Sequence, residues 1–279
     1  MKRPGGSPGY TLVEALLALV LLTAVLAVTQ EVLVRQWRFH RLLVELASVR
    51  DAGRVALETL ASDLRAVSPK LGDLYGIGPD SVALRSTSGL AVVCGAEGDD
   101  LRVRRLAGAF GDGRGDSLLA FLEFDPGSAL DDRWGAVAVR KIIKGGTGGC
   151  PDGRPPDLTL TLSGPLSGAV PGAPVRGFRP YVYRLYRAGD GYWWLGQRLR
   201  GGPHQPLAGP FRAPAAGGLH LEYFTAEGRR TETPARVVRV SISVAAHGRR
   251  PIPGRWGPQV VTDTMSTHVY LRNGDRSGG

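Results

Sequence analysis

The chain has 279 residues, 43% of them hydrophobic, enough for one sizeable domain or for a helix plus a domain. Glycine and proline number 40 and 20 and follow no collagen-like period, which excludes a triple helix and favours a β-rich domain with many turns. The formal net charge is +10 and rests almost wholly on arginine; it permits contact with nucleic acid or anionic lipid without requiring it.

Residues 1–9 read MKRPGGSPG, a short basic segment rich in helix breakers. The chain then changes abruptly to YTLVEALLALVLLTAVLAVTQEVLV over 10–34. From Leu12 to Val28 only Glu14 and Thr23 are polar, so this stretch has the length and character to cross a bilayer as a helix. Lys2 and Arg3 precede it and predict a cytoplasmic start with the bulk of the chain outside. An ordinary secretory signal is the rival reading. It needs a small-residue cleavage site after the apolar run; Ala27-Val28-Thr29 is a poor one, and apolar character continues through Leu33 and Val34. Glu14 is the unusual residue, because a carboxylate near the start of a lipid-embedded helix is costly unless paired and so points to function.

Gly9-Tyr10-Thr11-Leu12-Val13-Glu14, followed by Ala15-Leu16-Leu17-Ala18-Leu19-Val20-Leu21-Leu22, resembles the class III signal of type IV prepilins and pseudopilins. The match covers about 25 residues and joins a basic leader, a terminal glycine, an aromatic residue, a glutamate four positions later and a long apolar helix. The resemblance implies cleavage between Gly9 and Tyr10 by a prepilin peptidase and N-methylation of Tyr10. It implies a filament subunit whose helix packs with those of its neighbours, with Glu14 neutralising the amine of an adjacent subunit. Its implied partners are other major and minor pilins or pseudopilins and an inner-membrane assembly platform. The implied location is the inner (cytoplasmic) membrane, single-pass, with the C-terminal domain in the periplasm or outside. Tyr10 stands where the family commonly has Phe, and the leader contains Pro4 and Pro8. Many pilins bend this helix at a proline; here Gln30 and Glu31 occupy that region, which predicts a straighter helix.

No proline occurs between Pro8 and Pro69, so the helix is expected to continue past the membrane. In 35–50, Leu42, Leu46 and Val49 form a packing stripe, and Trp37 and Phe39 lie among arginines, a pattern open to an interface belt, nucleic-acid contact or packing. In 54–67, Leu57, Leu60, Leu64 and Val67 form one apolar face, with Arg54, Glu58, Asp63 and Arg65 expected outside and Gly53 marking a bend or break. This second helical stretch, and the closing strand with Arg272-Asn273, resemble the larger minor pilins and minor pseudopilins.

After Pro69 the period changes to short β-like runs between turns: 81–85, 90–94, 118–124, 136–143, 158–162, 181–187, 192–199, 219–224, 236–245 and 268–272. Arg187-Ala188-Gly189-Asp190-Gly191 reads as a hairpin turn. Residues 144–156 and 164–180 read as Gly/Pro-rich loops. Cys94 and Cys150 fit one disulfide in an oxidising compartment. The expected fold class is α+β, a long N-terminal helix packed on an antiparallel β-sheet domain. Its expected parts are a leader (1–9), a transmembrane or filament-core helix (10–34), an extended amphipathic helical region (35–68) and a β-rich globular domain (69–279).

No nucleophile motif is present: Ser117, Ser128 and Ser163 lack an elbow sequence or a base and orienter in the pattern. Asp99-Asp100 and Asp131-Asp132 lack the spacing of a calcium loop and read as solvated turns, and the five histidines have no metal-ligand spacing. Residues 109–116 are glycine-rich but lack the Lys-Ser/Thr of a phosphate loop. No cofactor or metal is expected, and a non-catalytic role follows. Basic clusters occur at Arg102, Arg104 and Arg105, at Arg198 and Arg200, at Arg229 and Arg230, and at Arg249 and Arg250. Gathered on one face they would hold a DNA backbone; dispersed, they are a solvated surface, and the sequence leaves both open.

Overall fold

The computed structural model describes residues 11–111, 116–125, 127–128, 130–199, 202–254 and 257–272. The chain forms two compact units, Met1–Ser48 with Gly248–Val261, and Val49–His247 with Thr262–Gly279.

One helix, α1 (Leu12–Ala66), runs through 55 residues without a break. Its sequence holds no proline, and helix formers dominate it. In the first unit every residue of 11–41 is exposed. There Glu45 Oε2 accepts the backbone N–H of Arg249 at 3.2 Å.

In the second unit α1 turns amphipathic and buries Val49, Ala52, Gly53, Ala56, Leu60, Ala61 and Leu64. These recur at three and four, one stripe of a 3.6-residue period. The helix does not break at Gly53. The missing side chain instead admits Met265, whose Sδ would lie 2.9 Å from a Cβ built there. Asp63 is not wholly outside either, since its carboxylate accepts the hydroxyl of Tyr183. Burial, reinforced by that bond, holds the Tyr183 hydroxyl above the ordinary tyrosine range, so it remains a donor.

The strands are β1 (Leu74–Ile77), β2 (Ser81–Glu97), β3 (Asp100–Gly108), β4 (Ser117–Leu122), β5 (Arg133–Lys144) and β6 (Leu158–Leu162). They continue with β7 (Pro174–Arg187), β8 (Trp193–Leu199), β9 (His204–Phe211), β10 (Leu219–Phe224), β11 (Arg239–Gly254) and β12 (Gly257–Tyr270). β7 thus begins inside the stretch expected as loop, because its first residues pair with β2 and β4. All strands join one sheet in the order β1-β2-β3-β6-β5-β4-β7-β8-β9-β11-β10, with β12 on β11. Every strand pair with a resolved register is antiparallel.

β2 also pairs with β7, and this closes part of the sheet into a six-stranded ring, β2-β3-β6-β5-β4-β7. Ala91 on β2 sits opposite both Arg105 of β3 and Val175 of β7. Ser117 on β4 sits opposite both Ala138 of β5 and Phe178 of β7. The interior is filled by alternating residues, among them Leu101 and Val103, Leu118 and Ala120, Leu160 and Leu162. That is the period-two packing of a small barrel. β2 and β7 then extend into the rest of the sheet, which covers the second half of α1. The Leu221 N–H at the far end of the strand order donates to Pro79 O at 2.7 Å, so β10 returns to the turn before β2.

Two carboxylates are fixed inside. Asp73 is fully buried, accepts the Ser68 N–H at 2.9 Å and pairs with Arg176 of β7. Asp116 is buried against Arg179, whose guanidinium it holds above the ordinary arginine range. The whole is α+β, one long helix packed on a multi-stranded antiparallel sheet, which is a pilin-like fold.

Candidate functional site

The start of α1 is a capping box. Thr11 precedes the first helical residue, and the Glu14 N–H donates to Thr11 Oγ1 at 3.3 Å. In return the Thr11 N–H donates to Glu14 Oε2 at 3.3 Å. Two donors that the helix leaves without internal partners are thereby satisfied reciprocally. A carboxylate in the first turn also complements the positive end of the helix dipole. Thr11-x-x-Glu14 is the sequence signature of this motif, and it lies inside the very stretch that resembles a prepilin signal. Glu14 is exposed and has no cationic partner among the described residues. Gly9 and Tyr10, the expected cleavage and methylation positions, lie outside the described residues.

Past the cap, the helix is apolar on all sides and none of its most apolar window is buried. Leu12 to Val34 rises about 34 Å at 1.5 Å per residue, enough for the hydrocarbon core of a bilayer. The hydroxyls within it are satisfied locally. Thr23 donates to Val20 O at 2.9 Å and Thr29 donates to Val25 O at 2.8 Å, so neither presents an unbonded donor to lipid. Glu31 and Arg35 pair at 2.5 Å where the apolar stretch ends, and the Arg41 guanidinium lies 5.6 Å from the Trp37 ring centre. A helix with no buried face over its first thirty residues can be sheltered from water only by lipid or by other helices.

Cys94 at the end of β2 is bonded to Cys150 in the loop after β5, across 56 residues that include β3, β4 and β5. The bond therefore clips the ring. Replacing both cysteines with serine is expected to cost roughly 2–4 kcal/mol of stability, mostly by freeing the unfolded chain. A denaturant midpoint measured on C94S/C150S checks this; a midpoint equal to wild type would contradict it.

The arginine clusters considered for DNA contact sit on separate elements, and three of these arginines already have carboxylate partners. Arg102 of β3 lies 3.7 Å from Glu97, Arg104 pairs with Asp152, and Arg230 pairs with Glu222. Arg105 and Arg229 are exposed. Arg249 and Arg250 lie on β11 within the first unit. Arg200 lies outside the described residues. A groove of about 700 Å³ beside β10 is lined by Gly78, His220, Glu222, Tyr223 and Arg230. Its Glu222 is taken up by Arg230 and by His220 at 3.6 Å. No group of three or more His, Cys, Asp or Glu able to hold a metal occurs among the described residues.

Compared with known proteins, the chain matches no family model, no curated sequence and no solved structure.

Proposed function

We propose that the chain is a non-catalytic minor pilin or pseudopilin, which primes assembly or forms the tip of a type IV pilus, a DNA-uptake pilus or a type II secretion pseudopilus. The observation that carries this reading is the division of labour along α1: exposed on every side over 11–41, then packed along one stripe against the sheet from Val49 onward. The first part has the form of an anchor that becomes a filament core, and the second holds a folded domain outside. In this reading 1–9 is a leader removed by prepilin peptidase, 10–34 the membrane and core helix, 35–68 its amphipathic continuation and 69–279 the outer domain. Tyr10 carries the new amine and its methyl group. Glu14, whose capping partner Thr11 stays in the mature chain, pairs with the amine of a neighbouring subunit. The inner membrane holds the subunit until the assembly platform extracts it.

Affinity isolation of the C-terminally tagged chain from detergent-solubilised membranes tests the proposal. Recovery of proteins that carry their own basic leader, Glu and apolar helix is expected, and their identity separates the pilus, competence and secretion systems. Recovery of the chain free of any such subunit would count against it.

A further inference from the structure

The outer face of β7, β8 and β9 carries a cationic and aromatic surface that the filament reading does not use. Residues opposed across antiparallel strands share a face. Val182 is opposite Arg198, and Arg198 is opposite His204; Arg184 is opposite Gly196, and Tyr186 is opposite Trp194. These residues therefore lie together on one side of the sheet. The other side carries Tyr183, which bonds Asp63 of α1, so this face is turned away from the helix.

Three observations show positive charge gathered there without a counter-ion. Arg184 is exposed and Arg198 half-buried, and neither forms an ion pair among the described residues. Nε of Arg198 and Nδ1 of His204 are shielded from solvent with no hydrogen-bond partner among the described residues. His204 is held below the usual imidazole range, by burial first and then by the charges of Arg198 and Arg184. Asp190, in the turn between β7 and β8, is committed to the indole N–H of Trp194 at 3.1 Å and the backbone N–H of Tyr192 at 3.0 Å. The aromatic floor is built rather than incidental. The Tyr186 ring lies over Gly196, where a Cβ would come within 2.5 Å of it, and His204 stacks on that ring at 4.8 Å and 10°.

We infer that this face, with Arg184, Arg198 and His204 beside the Tyr186 and Trp194 rings, is a binding site for a phosphate group, either free or in a phosphodiester backbone. Arg184 reaches solvent and makes first contact; Arg198 lies deeper between the strands. A doubly charged oxyanion between the two guanidiniums offsets their repulsion, which adds to burial in disfavouring the imidazolium, and itself attracts a proton to His204, which becomes a third cation in the site. The half-buried Trp194 ring offers a surface on which a nucleobase stacks, should the phosphate belong to single-stranded nucleic acid. The inference stands apart from the filament reading and survives or fails without it.

The test uses the full chain in an uncharged detergent, with inorganic phosphate and a single-stranded oligothymidylate as probes. The His204 imidazole resonance is followed against pH and assigned by its loss in H204Q. Phosphate is expected to raise the His204 midpoint and leave the other four histidines in place. R184E, at an exposed position, is expected to abolish that shift and weaken probe binding by at least about tenfold, whereas R184K retains both. R140E on the outside of β5 gives the same change in net charge and is expected to leave binding unchanged. A response to phosphate alone assigns a small-anion site, and a response to both probes assigns a phosphodiester site. An unmoved His204 midpoint with both probes, or equal weakening by R140E, overturns the inference.

Discussion

Asp73→Ala is expected to destabilise the outer domain by roughly 3–5 kcal/mol, because it leaves a buried guanidinium without its counter-charge. Asp73 is fully buried, and the Arg176 side chain is only 13% exposed. The carboxylate also accepts the Ser68 N–H, and its backbone carbonyl accepts the Arg85 N–H at 2.8 Å. One side chain thus ties the end of α1, the short 3-10 helix Pro69–Leu71 that follows it, and β7. Nε of Arg176 has no partner among the described residues, so truncating Asp73 deprives a group that is already short of acceptors. The double variant D73A/R176M removes both charges and is expected to lose less than D73A alone, since apolar replacement of a whole buried pair is often neutral or better. Denaturant midpoints of the three proteins decide it. A D73A loss below about 1 kcal/mol, the range of a solvated surface pair, would show that the interior site is wet and the pair dispensable.

Loss of charge at Glu14 is expected to stop incorporation into filaments while leaving membrane insertion intact. Two roles compete at this residue. Within one chain it closes the capping box with Thr11, which typically supports a helix end by about 1 kcal/mol. Between chains it is proposed to meet a neighbour's amine, where a pair about 4 Å apart at an effective dielectric near 20 gains about 4 kcal/mol. Gln preserves the capping box but carries no charge, whereas Leu loses both. E14Q and E14L are therefore both expected to reduce incorporation by more than about tenfold, measured as the share of mature chain recovered with sheared filaments. Both remain in the membrane fraction, because removing a carboxylate from an apolar helix lowers the cost of insertion. Normal incorporation of E14Q would reduce Glu14 to a helix cap.

The local elements are legible in the amino-acid sequence. The apolar run over 12–34, the amphipathic stripe through Leu60 and Leu64, and the hairpin at 187–191 all show themselves by period or turn chemistry. The same logic finds β10 at 219–224. What the sequence hides is non-local. Runs 81–85 and 90–94 belong to one strand, and residues 89–92 of it pair with both β3 and β7. Nothing within β2 signals that it will close a ring with a strand more than eighty residues on. β9 is hidden because Pro206 and Pro210 argue against a strand. The Arg184, Arg198 and His204 cluster is hidden because three strands must be placed in register before it exists. Orientation in the membrane rests on the resemblance more than on charge, since Lys2 and Arg3 before the span are answered by Arg35, Arg38 and Arg41 after it. Thr11-x-x-Glu14, by contrast, is a local signal, and it shows that one glutamate can satisfy two readings at once.

The arrangement gives one helix two successive environments. Over 12–29 it is apolar on nearly every side and exposed, so its stability in water is poor and its stability among other apolar helices or lipid tails is high. From Val49 it belongs to the domain. Removal of 1–9 is the proposed event that turns the first half from anchor into assembly element, by creating an amine at Tyr10, four positions before Glu14 in the sequence.

Intact-mass and terminal-peptide mass spectrometry of the chain isolated from its native membrane tests that event most directly. The expected result is a mature protein that begins at Tyr10 and carries one N-terminal methyl group. A chain that retains Met1, or one cut near Ala27, would contradict it.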